Sequence, residues 1–353
     1  MPPAVPVVDV IVVTYNHARY LREALDSVVM QQTNFLWRAL VADDCSTDGT
    51  QAIIQEYAEK YPNIIIPFLS PKNIGITPPV ECHAWTIVRK NSTAKYLAYL
   101  EGDDYWTDPL KLQKQADLLD SDSGIALCFH DVTRVDADGN PLEAVPPWFP
   151  QRSAYDVADL LEFGCFIVTL SAMFRRDFLF LGNNRDWVRK ARAGDWMLFL
   201  VLAEQGSLRR MDGVWGAYRI HAGGVFRGLN DRRQLEHNYA GYELCQARFT
   251  LPTYQALIKK NLSERSLYLA SLCLRDNDLP AARRYLLLCA RNYTRTASIP
   301  IGKYLFCFLR AFTPRVYTFG RAASWYWGRL RHPRELCKSV RAKFHCGSST
   351  RGN

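Results

Sequence analysis

The sequence predicts an α/β fold, in which a mostly parallel sheet is flanked by helices and followed by a C-terminal helical region. Three observations predict it. Val7 to Val13 is an almost entirely β-branched run, which is typical of a strand buried on both faces. Strand-like and helix-like segments then alternate up to about residue 125, which favours a parallel sheet covered by helices. From residue 235 to residue 293 the apolar spacing is wholly helical.

The alternating part contains four strand–helix pairs. The predicted strands are Val7 to Val13 and the segments WRALVADD, IIIPFLS and KYLAYLEGDD. The predicted helices are YLREALDSVVMQQ, STDGTQAIIQEYAEKY, VECHAWTIVRKN and DPLKLQKQADLLD. In the first helix, Leu21 and Leu25 show the four-residue spacing of an amphipathic helix. Asp108 is expected to cap the fourth helix, with Pro109 at its first position, because proline is tolerated there.

The rhythm changes beyond residue 125. The segment IALCFHDVTRVDADGNPL predicts a strand and a turn. Two apolar-periodic stretches in RSLYLASLCLRDNDLPAARRYLLLCARNY are joined by Asp276 to Pro280, which predicts an αα-hairpin. A single tetratricopeptide-like unit would look similar, but one unit is weak evidence for a repeat. The predicted domains are residues 1–230, a helical hairpin region at 231–300 and a basic, aromatic-rich tail at 301–353.

The composition of the 353 residues is that of a folded protein, with 48% hydrophobic and 22% charged residues. The ten cysteines form no CxxC pair, which favours reduced thiols over a disulfide framework or a zinc site. The N-terminus lacks the basic start and the cleavage site of a secretory signal. No window supplies the ~20 apolar residues of a membrane-spanning helix. A cytoplasmic protein is therefore expected.

Three polar clusters follow strands of the predicted sheet: Thr14-Tyr15-Asn16, Asp43-Asp44 and Glu101 to Asp104. Ligands of such sheets bind outside the carboxyl ends of the strands. Neither GxxxxGK[ST] nor GxGxxG follows the first strand, so a P-loop or Rossmann phosphate site is unsupported. An EF-hand is rejected, because Gln55 stands where that loop needs a bidentate glutamate.

The third cluster needs a compensating cation, because crowded carboxylates that leave water have their ionised forms disfavoured. Adjacent carboxylates at the end of a buried strand suit Mg²⁺ or Mn²⁺, which takes one or two protein carboxylates and the oxygens of a diphosphate. A solvated acidic turn that caps the next helix is the alternative, but Asp108 already serves as that cap. The pattern favours a metal site.

Six sequence blocks carry a resemblance to a known family. They are VVTYNHARYL (12–21), VADDCSTDGT (41–50), KNIG (72–75), YLEGDDYWTDPLKL (99–112), GDW (194–196) and YRIH (218–221). In type, order and spacing they strongly resemble the family 2 glycosyltransferases with the GT-A fold, over residues 7 to about 225. The first four blocks are specific as a set, whereas the last two are short.

The resemblance implies a nucleotide site at the first two clusters. Thr14, Tyr15 and Asn16 lie where the family holds the nucleotide base. Asp43 lies where a carboxylate accepts a hydrogen bond from the base. Asp44 is counted with the donor-binding residues, chiefly as a residue that shapes this loop.

The resemblance also implies a metal site. The metal signature of the family is Asp-x-Asp, and Glu101 replaces its first member here. Asp103 is therefore the expected metal ligand, with Asp104 as a second candidate, and Glu101 is expected to touch the ribose or a metal-bound water. His221 matches a position that approaches the metal or the diphosphate in some members, and Arg219 would neutralise phosphate.

A catalytic base is implied at Asp195, which falls where the family places that residue at the start of a helix. Gly194 stands where many members have an acid, so the match rests on one carboxylate. An ordinary helix N-cap is the alternative role, because Asp favours that position. Trp196 is expected to form part of the wall that faces the acceptor.

The implied reaction is the inverting, metal-dependent transfer of a sugar from a nucleoside diphosphate-sugar to an acceptor hydroxyl. The resemblance favours a UDP-sugar donor, Mg²⁺ or Mn²⁺, and a glycan or lipid-linked acceptor in bacterial cell-surface polysaccharide or glycan synthesis. Two alternatives stay open. One is a catalytically silent binding or scaffold protein with the same fold, and the other is a nucleotidylyltransferase, which would release inorganic pyrophosphate.

The tail at 301–353 carries 11 Lys and Arg and a single acid, Glu335, so the rest of the chain is close to neutral. Its basic residues alternate with aromatic ones, which suits the anionic surface of a membrane. Peripheral attachment to the cytoplasmic face is therefore one interpretation. A helix that packs its aromatic residues on the protein body is the other. Nothing else in the sequence supports nucleic-acid binding.

Overall fold

A computed structural model describes residues 5–75, 83–191, 194–224 and 230–312. Its strands are β1 (Val8–Thr14), β2 (Trp37–Asp43), β3 (Ile65–Leu69), β4 (Tyr96–Glu101), β5 (Tyr105–Trp106), β6 (Ile125–Val135), β7 (Ala154–Tyr155), β8 (Met173–Arg175) and β9 (Ser207–Arg219). Its helices are α1 (Leu21–Val29), α2 (Thr50–Lys60), α3 (His83–Asn91), α4 (Lys111–Ser121), α5 (Val157–Phe163), α6 (Asn184–Val188), α7 (Gly194–Ala203), α8 (Asp231–Arg248), α9 (Pro252–Arg275), α10 (Leu279–Arg291) and α11 (Ile301–Phe312).

The strands of the described residues form one mixed sheet of nine strands, in the order β3-β2-β1-β4-β8-β6-β9-β5, with β7 paired to β9. The first four strands are parallel to one another, as the alternating sequence pattern predicts. Strand β8 is antiparallel to both β4 and β6, while β6 and β9 run parallel. The predicted α/β sheet flanked by helices is confirmed, and its second half adds antiparallel strands to the parallel core.

Strand β1 is the centre of the core and explains why its sequence is so apolar. Val8, Val10, Ile11 and Val12 are all 0% exposed, because β1 is an inner strand and helices such as α1 pack on the sheet. Burying one such side chain contributes about 1.5–3 kcal/mol. Asp9 is the polar member of the run, and its carboxylate accepts a hydrogen bond from Arg38 Nε at 2.7 Å.

The start of the fourth helix differs from the expectation. Helix α4 begins at Lys111, and residues 109–110 form a turn before it. Asp108 still organises this turn, because its Oδ1 accepts the backbone N–H of Leu110 at 2.8 Å and its carbonyl accepts that of Lys111 at 3.2 Å. The placement of Asp108 as the cap and of Pro109 as the first helical residue is therefore wrong by about two positions.

A lysine inside helix α4 is fully buried. Lys111 Nζ donates to Gln115 Oε1 at 2.6 Å and lies 4.1 Å from the centre of the Trp106 ring. Burial lowers the pKa of Lys111 to about 7. Gln115 Nε2 donates to the Ser171 carbonyl at 2.8 Å, and Trp106 Nε1 donates to the Leu170 carbonyl at 2.8 Å. These buried polar groups hold the short 3₁₀ turn Thr169–Ser171 in place.

The described residues divide into two compact units. Unit 1 lies within Met1–Ala144, Gln151–Leu160 and Cys165–Ala222, and unit 2 within Val145–Pro150, Leu161–Gly164 and Gly223–Asn353. The domain boundaries at 230 and 300 stay predictions. The part of the tail beyond residue 312 lies outside the described residues.

Unit 2 contains the predicted αα-hairpin. Helices α9 and α10 pack against each other and are joined by residues 276–278. The Asp278 side chain accepts the backbone N–H of Ala281 at 3.1 Å and so caps α10. In the part of the chain that is described, no cysteine forms a disulfide, and no helix is long and apolar enough to cross a bilayer.

Candidate active site

The loops that follow β1 and β2 are tied together by hydrogen bonds. Asn16 has a left-handed backbone with φ 54°. Its N–H donates to Ser46 Oγ at 2.8 Å, and its side-chain oxygen accepts the N–H of Thr47 at 2.9 Å. The N–H of His17 donates to Thr50 Oγ1 at 2.9 Å. The first two predicted clusters therefore form one connected loop pair at the carboxyl edge of the sheet.

The two adjacent aspartates of the second loop have structural partners. Asp43 is fully buried, and its Oδ2 accepts the backbone N–H of Ser46 at 2.9 Å. The Asp44 carboxylate accepts the backbone N–H groups of Ile74 at 2.8 Å and Gly75 at 2.9 Å. Asp44 thus holds the loop after β3, and its predicted place among the donor-binding residues stays a prediction. The predicted contact between Asp43 and a nucleotide base stays a prediction.

The end of β4 approaches the end of β1 very closely at Gly102. A Cβ atom at this position would lie 2.8 Å from Thr14 Oγ1 and 3.0 Å from His17 Nδ1. The Gly102 N–H donates to the Val13 carbonyl at 2.8 Å. Only glycine permits this approach, which brings the acidic cluster against the β1 loop.

Asp103 is held between two histidines. His221 Nε2 donates to Asp103 Oδ2 at 2.9 Å, and His17 Nε2 lies 3.7 Å from the same oxygen. Burial alone would raise the pKa of Asp103, but the hydrogen bond from His221 and the proximity of His17 outweigh it and lower that pKa. The Asp103 carboxylate is therefore kept ionised.

Asp104 points into the protein and is 2% exposed. Its Oδ1 accepts the backbone N–H of Arg219 at 2.7 Å, while Arg219 Nε donates to the Asp103 carbonyl at 2.8 Å. Burial, together with the charges of Asp103 and Glu101, raises the pKa of Asp104. Asp104 and Arg219 thus clamp the acidic cluster onto β9.

The guanidinium of Arg219 already has protein acceptors. Its Nη1 lies 3.3 Å from the carbonyls of Asp136 and Ala137, and its Nη2 donates to the Glu23 carboxylate. The Tyr20 ring covers it, with a distance of 4.8 Å from Cζ to the ring centre. The predicted contact of Arg219 with phosphate stays a prediction.

Glu101 and Asp195 share an acidic environment. Burial and the negative charges of Asp103 and Asp195 raise the pKa of Glu101 to about 8. Burial also raises the pKa of Asp195. The Thr169 hydroxyl acts in the opposite direction and lowers the pKa of both carboxyl groups, but burial outweighs it. Two carboxyl groups that hold protons more strongly than usual therefore lie beside an ionised one.

Asp195 stands at the first turn of α7, where its Oδ1 accepts the backbone N–H of Trp196 at 2.8 Å. Cys165 Sγ lies 3.9 Å from its Oδ2. Trp196 is 3% exposed, and its Nε1 donates to the Leu160 carbonyl at 3.3 Å. Trp196 is therefore buried in the protein, and its predicted place in an acceptor wall is wrong.

Three polar side-chain atoms at this edge are buried without a hydrogen-bond partner among the described residues: Thr14 Oγ1, His17 Nδ1 and Glu101 Oε2. Buried polar atoms normally have partners, so these three mark a surface suited to a polar ligand. Tyr15 is 45% exposed beside them. The predicted residues of the first and third clusters are thus brought together.

The acidic group at this edge offers few ligands for a divalent ion. No group of three or more His, Cys, Asp and Glu side chains within the described ranges is arranged to hold one. An ion that binds with a diphosphate needs only one or two protein ligands, and the adjacent Asp103 and His221 provide two. Asp103 and His221 are therefore suited to such an ion, while Asp104 is turned into the protein, and the metal-ligand roles of all three stay predictions.

Sequence reasoning missed several contributors. His17 stood within a quoted block, but the pairing of its ring with Asp103 spans 86 positions and has no local signal. Thr169 lies in a 3₁₀ turn with no periodicity to mark it. Glu23 sits on α1 and resembles any exposed helical glutamate until Arg219 is placed beside it.

Comparison with known proteins identifies a family over part of the chain. Residues 9–180, just under half of the chain, match the family model described as Glycosyl transferase family 2. This segment therefore has the sequence of a family 2 glycosyl transferase. The structure has the GT-A fold that the sequence predicted.

Two kinds of relative support the assignment. An uncharacterized protein of Mycobacterium tuberculosis is 36% identical over 229 residues, which are 64% of this chain and 63% of that protein. TuaG of Bacillus subtilis, named as a glycosyltransferase of teichuronic acid biosynthesis, is 31% identical over 168 residues, 47% of this chain and 62% of TuaG. The chain thus spans less than two thirds of the length of these relatives.

Two solved structures share its fold. The mannosyltransferase PcManGT of Pyrobaculum calidifontis, in complex with GDP-Man and Mn²⁺, has a TM-score of 0.52 at 17% identity and covers 98% of this chain and 89% of its own. TarS 1–349 of S. aureus, in complex with UDP-GlcNAc, has a TM-score of 0.50 at 17% identity, with 95% and 89% covered.

Proposed function

We propose that this protein transfers a sugar from a nucleoside diphosphate-sugar to an acceptor hydroxyl. The observation that carries the proposal is the acidic group at the end of β4, where ionised Asp103 and Asp195, whose own pKa is raised by burial, both lie close enough to Glu101 to raise its pKa. A site that transfers a sugar to a hydroxyl needs a charged group that helps to hold the donor and a second group that receives the proton of the hydroxyl. This arrangement supplies both.

The donor would bind at the carboxyl edge of β1, β2 and β4. The exposed Tyr15 ring offers a face for the base, and the unpartnered Thr14 Oγ1 offers a polar contact. Asn16 holds the loop that carries them. A UDP-sugar is the donor we favour. TarS, solved with UDP-GlcNAc, and PcManGT, solved with GDP-Man, support a nucleotide-sugar donor on this fold.

Asp103 and His221 would hold a divalent ion, Mn²⁺ or Mg²⁺. When bound, such an ion supplies positive charge near the leaving diphosphate. Asp103 is suited to this role because its pKa is lowered, so it stays ionised over the working pH range. Glu101, with its free Oε2 in the same group, would face the ribose or a metal-bound water, as predicted.

Asp195 would act as the general base. Its raised pKa makes it a better proton acceptor than an ordinary aspartate, and general-base catalysis is worth typically 10²–10⁴-fold. The acceptor oxygen loses its proton to Asp195 and attacks the anomeric carbon, from which the diphosphate leaves on the opposite face. A single displacement of this kind inverts the anomeric configuration.

The acceptor we propose is a glycan, free or lipid-linked, in bacterial cell-surface polysaccharide synthesis. The similarity to TuaG supports this context, because that relative is named for teichuronic acid biosynthesis. A lipid-linked acceptor would bring a cytoplasmic enzyme to the membrane surface as a peripheral protein.

A donor screen tests this function. The protein is heated with a panel of UDP-, GDP-, dTDP- and CMP-sugars, with Mn²⁺ or with a chelator, because a bound ligand raises apparent stability. The donor that stabilises it is then incubated with the protein, and the products are identified. Free nucleoside diphosphate supports glycosyl transfer, whereas pyrophosphate would indicate nucleotidyl transfer. Binding without turnover on any supplied acceptor or on water would indicate the silent scaffold.

A further inference from the structure

Helix α11, at Ile301–Phe312, belongs to unit 2 and packs one face onto helices α9 and α10. Cys307 is 3% exposed and Ala311 is 0% exposed, and the two stand four residues apart on the same side of the helix. Cys307 Sγ lies 3.6 Å from Ser271 Oγ of α9. The inner face of α11 is therefore occupied.

Three hydrogen bonds fix the rotation of this helix about its axis. Arg283 Nε of α10 donates to the Ala311 carbonyl at 2.8 Å. Arg310 Nη2 donates to the carbonyl of Leu274 in α9 at 3.1 Å, and Tyr304 OH donates to that of Leu286 in α10 at 3.4 Å. The opposite face cannot turn inward without breaking these bonds.

That opposite face exposes a row of large aliphatic side chains. Ile301 is 73% exposed, Leu305 51% and Leu309 54%, and their four-residue spacing places them in one line along the helix. Contiguous exposed apolar surface marks an interaction site more often than single exposed residues do. We call Ile301, Leu305 and Leu309 the outer row.

The charged residues of α11 itself are all positive. Helix α11 contains Lys303 and Arg310 and no acidic residue, and residues 301–353 carry 11 Lys and Arg against Glu335 alone. Apolar side chains on a helix with basic neighbours suit the surface of an anionic bilayer, which attracts each nearby Lys or Arg. A neutral protein partner would gain nothing from this excess of charge.

We propose that the outer row docks on an anionic lipid surface, with α11 lying in the plane of the headgroups. Its 12 residues span about 18 Å, well short of the ~30 Å hydrocarbon core, so the helix would lie on the bilayer and not cross it. The inference is independent of the proposed reaction, because lipid binding is measured without donor or acceptor.

Vesicle flotation of the full chain tests the proposal. Wild type, the double variant Leu305→Glu with Leu309→Glu, and the control Leu251→Glu are mixed with phosphatidylcholine vesicles with and without phosphatidylglycerol. Leu251 is a matched control, since it is 57% exposed at the start of α9 in the same unit. Wild type and the control should float with anionic vesicles alone, and the double variant should partition at least about ten-fold more weakly, because charges replace inserted leucines.

Each competing occupant gives a different result. Equal flotation of the double variant and wild type would overturn the role of the outer row. A lower melting temperature of the double variant without vesicles would show that the row is covered within the protein. If wild type is a dimer that does not float, and the double variant is a monomer, a second copy of the chain covers the outer row. Any of these outcomes contradicts lipid docking.

Discussion

The His221 imidazole and the Asp103 carboxylate, 118 residues apart in the chain, meet with Nε2 and Oδ2 separated by 2.9 Å. This contact joins the end of β4 to the segment after β9 and keeps Asp103 ionised. The contact also places an imidazole nitrogen beside the carboxylate. A divalent ion that is held by two protein ligands needs two such groups close together.

Replacing His221 should weaken metal use more than donor recognition. In His221→Gln, we expect the Mn²⁺ concentration for half-maximal donor turnover to rise by about ten-fold or more, because one of two protein ligands is lost. The measurement is a Mn²⁺ titration at saturating donor. His17→Gln is the comparison variant, since His17 lies farther, at 3.7 Å from the same oxygen. An equal effect of both variants would assign His221 a purely electrostatic role.

Asp195→Asn should remove turnover and preserve donor binding. We expect kcat to fall by roughly 10²–10⁴-fold, because the amide cannot accept the acceptor proton. Donor binding is checked by thermal stabilisation with the same nucleotide-sugar. The control is Asp177→Asn, which changes an aspartate whose side chain is 86% exposed in the same unit. Near-normal turnover of the Asp195→Asn variant would move the base to another residue.

Thr169 should act as a positioning residue for the carboxyl groups of Glu101 and Asp195, because its hydroxyl lowers the pKa of both. Thr169→Val removes the hydroxyl but keeps the shape, so we expect kcat to fall by roughly ten-fold with an unchanged donor KM, as the loss of one hydrogen bond implies. Thr169→Ser keeps the hydroxyl and should retain most activity. If Ser and Val reduce kcat equally, packing and not the hydrogen bond explains the residue.

Lys111 should make stability depend on pH. Its folded pKa, about 7, lies below the ordinary 10.5, so the unfolded chain binds its proton more tightly. The stability present above pH 10.5 is therefore lost as the pH falls toward 7, at about 1.4 kcal/mol per pH unit. Lys111→Met removes this loss, because methionine carries no proton.

Urea denaturation at pH 9.5 and 7.5 measures the effect. The advantage of Lys111→Met over wild type in free energy of unfolding should be about 2–3 kcal/mol larger at pH 7.5. Lys114→Met, on the same helix at a lysine whose side chain is 40% exposed, is the control and should show no such change. An advantage of Lys111→Met that is equal at both pH values would show that Lys111 is not the titrating group.

The position of the polar clusters at one edge of the sheet could be predicted, because the sequence patterns that identify the strands are local. The β-branched run of β1 and the alternating segments identify parallel strands, and parallel strands end at one edge. The clusters at Thr14 and Asp103 therefore had to lie near each other. The approach of β4 to β1 also has a local mark in Gly102, where any side chain would strike Thr14.

What could not be predicted depends on contacts between distant segments. Asp104 looked like a second ligand, but the backbone N–H of Arg219, 115 residues away, turns it inward. Trp196 looked like an acceptor wall until packing buried it. Lys111 would be taken as a solvated helical lysine, yet Trp106 and Gln115 enclose it. Pairings of this kind have no periodicity in the sequence.

The most direct test of the proposed reaction is the release of nucleoside diphosphate from a binding donor, in wild type and in Asp195→Asn. With Mn²⁺ and acceptor or water, wild type should release the nucleoside diphosphate, with the transferred sugar inverted at its anomeric carbon, and a chelator should stop it. The Asp195→Asn variant should bind the donor and release almost no nucleoside diphosphate. Equal release by both proteins, or release of pyrophosphate, would contradict glycosyl transfer by Asp195.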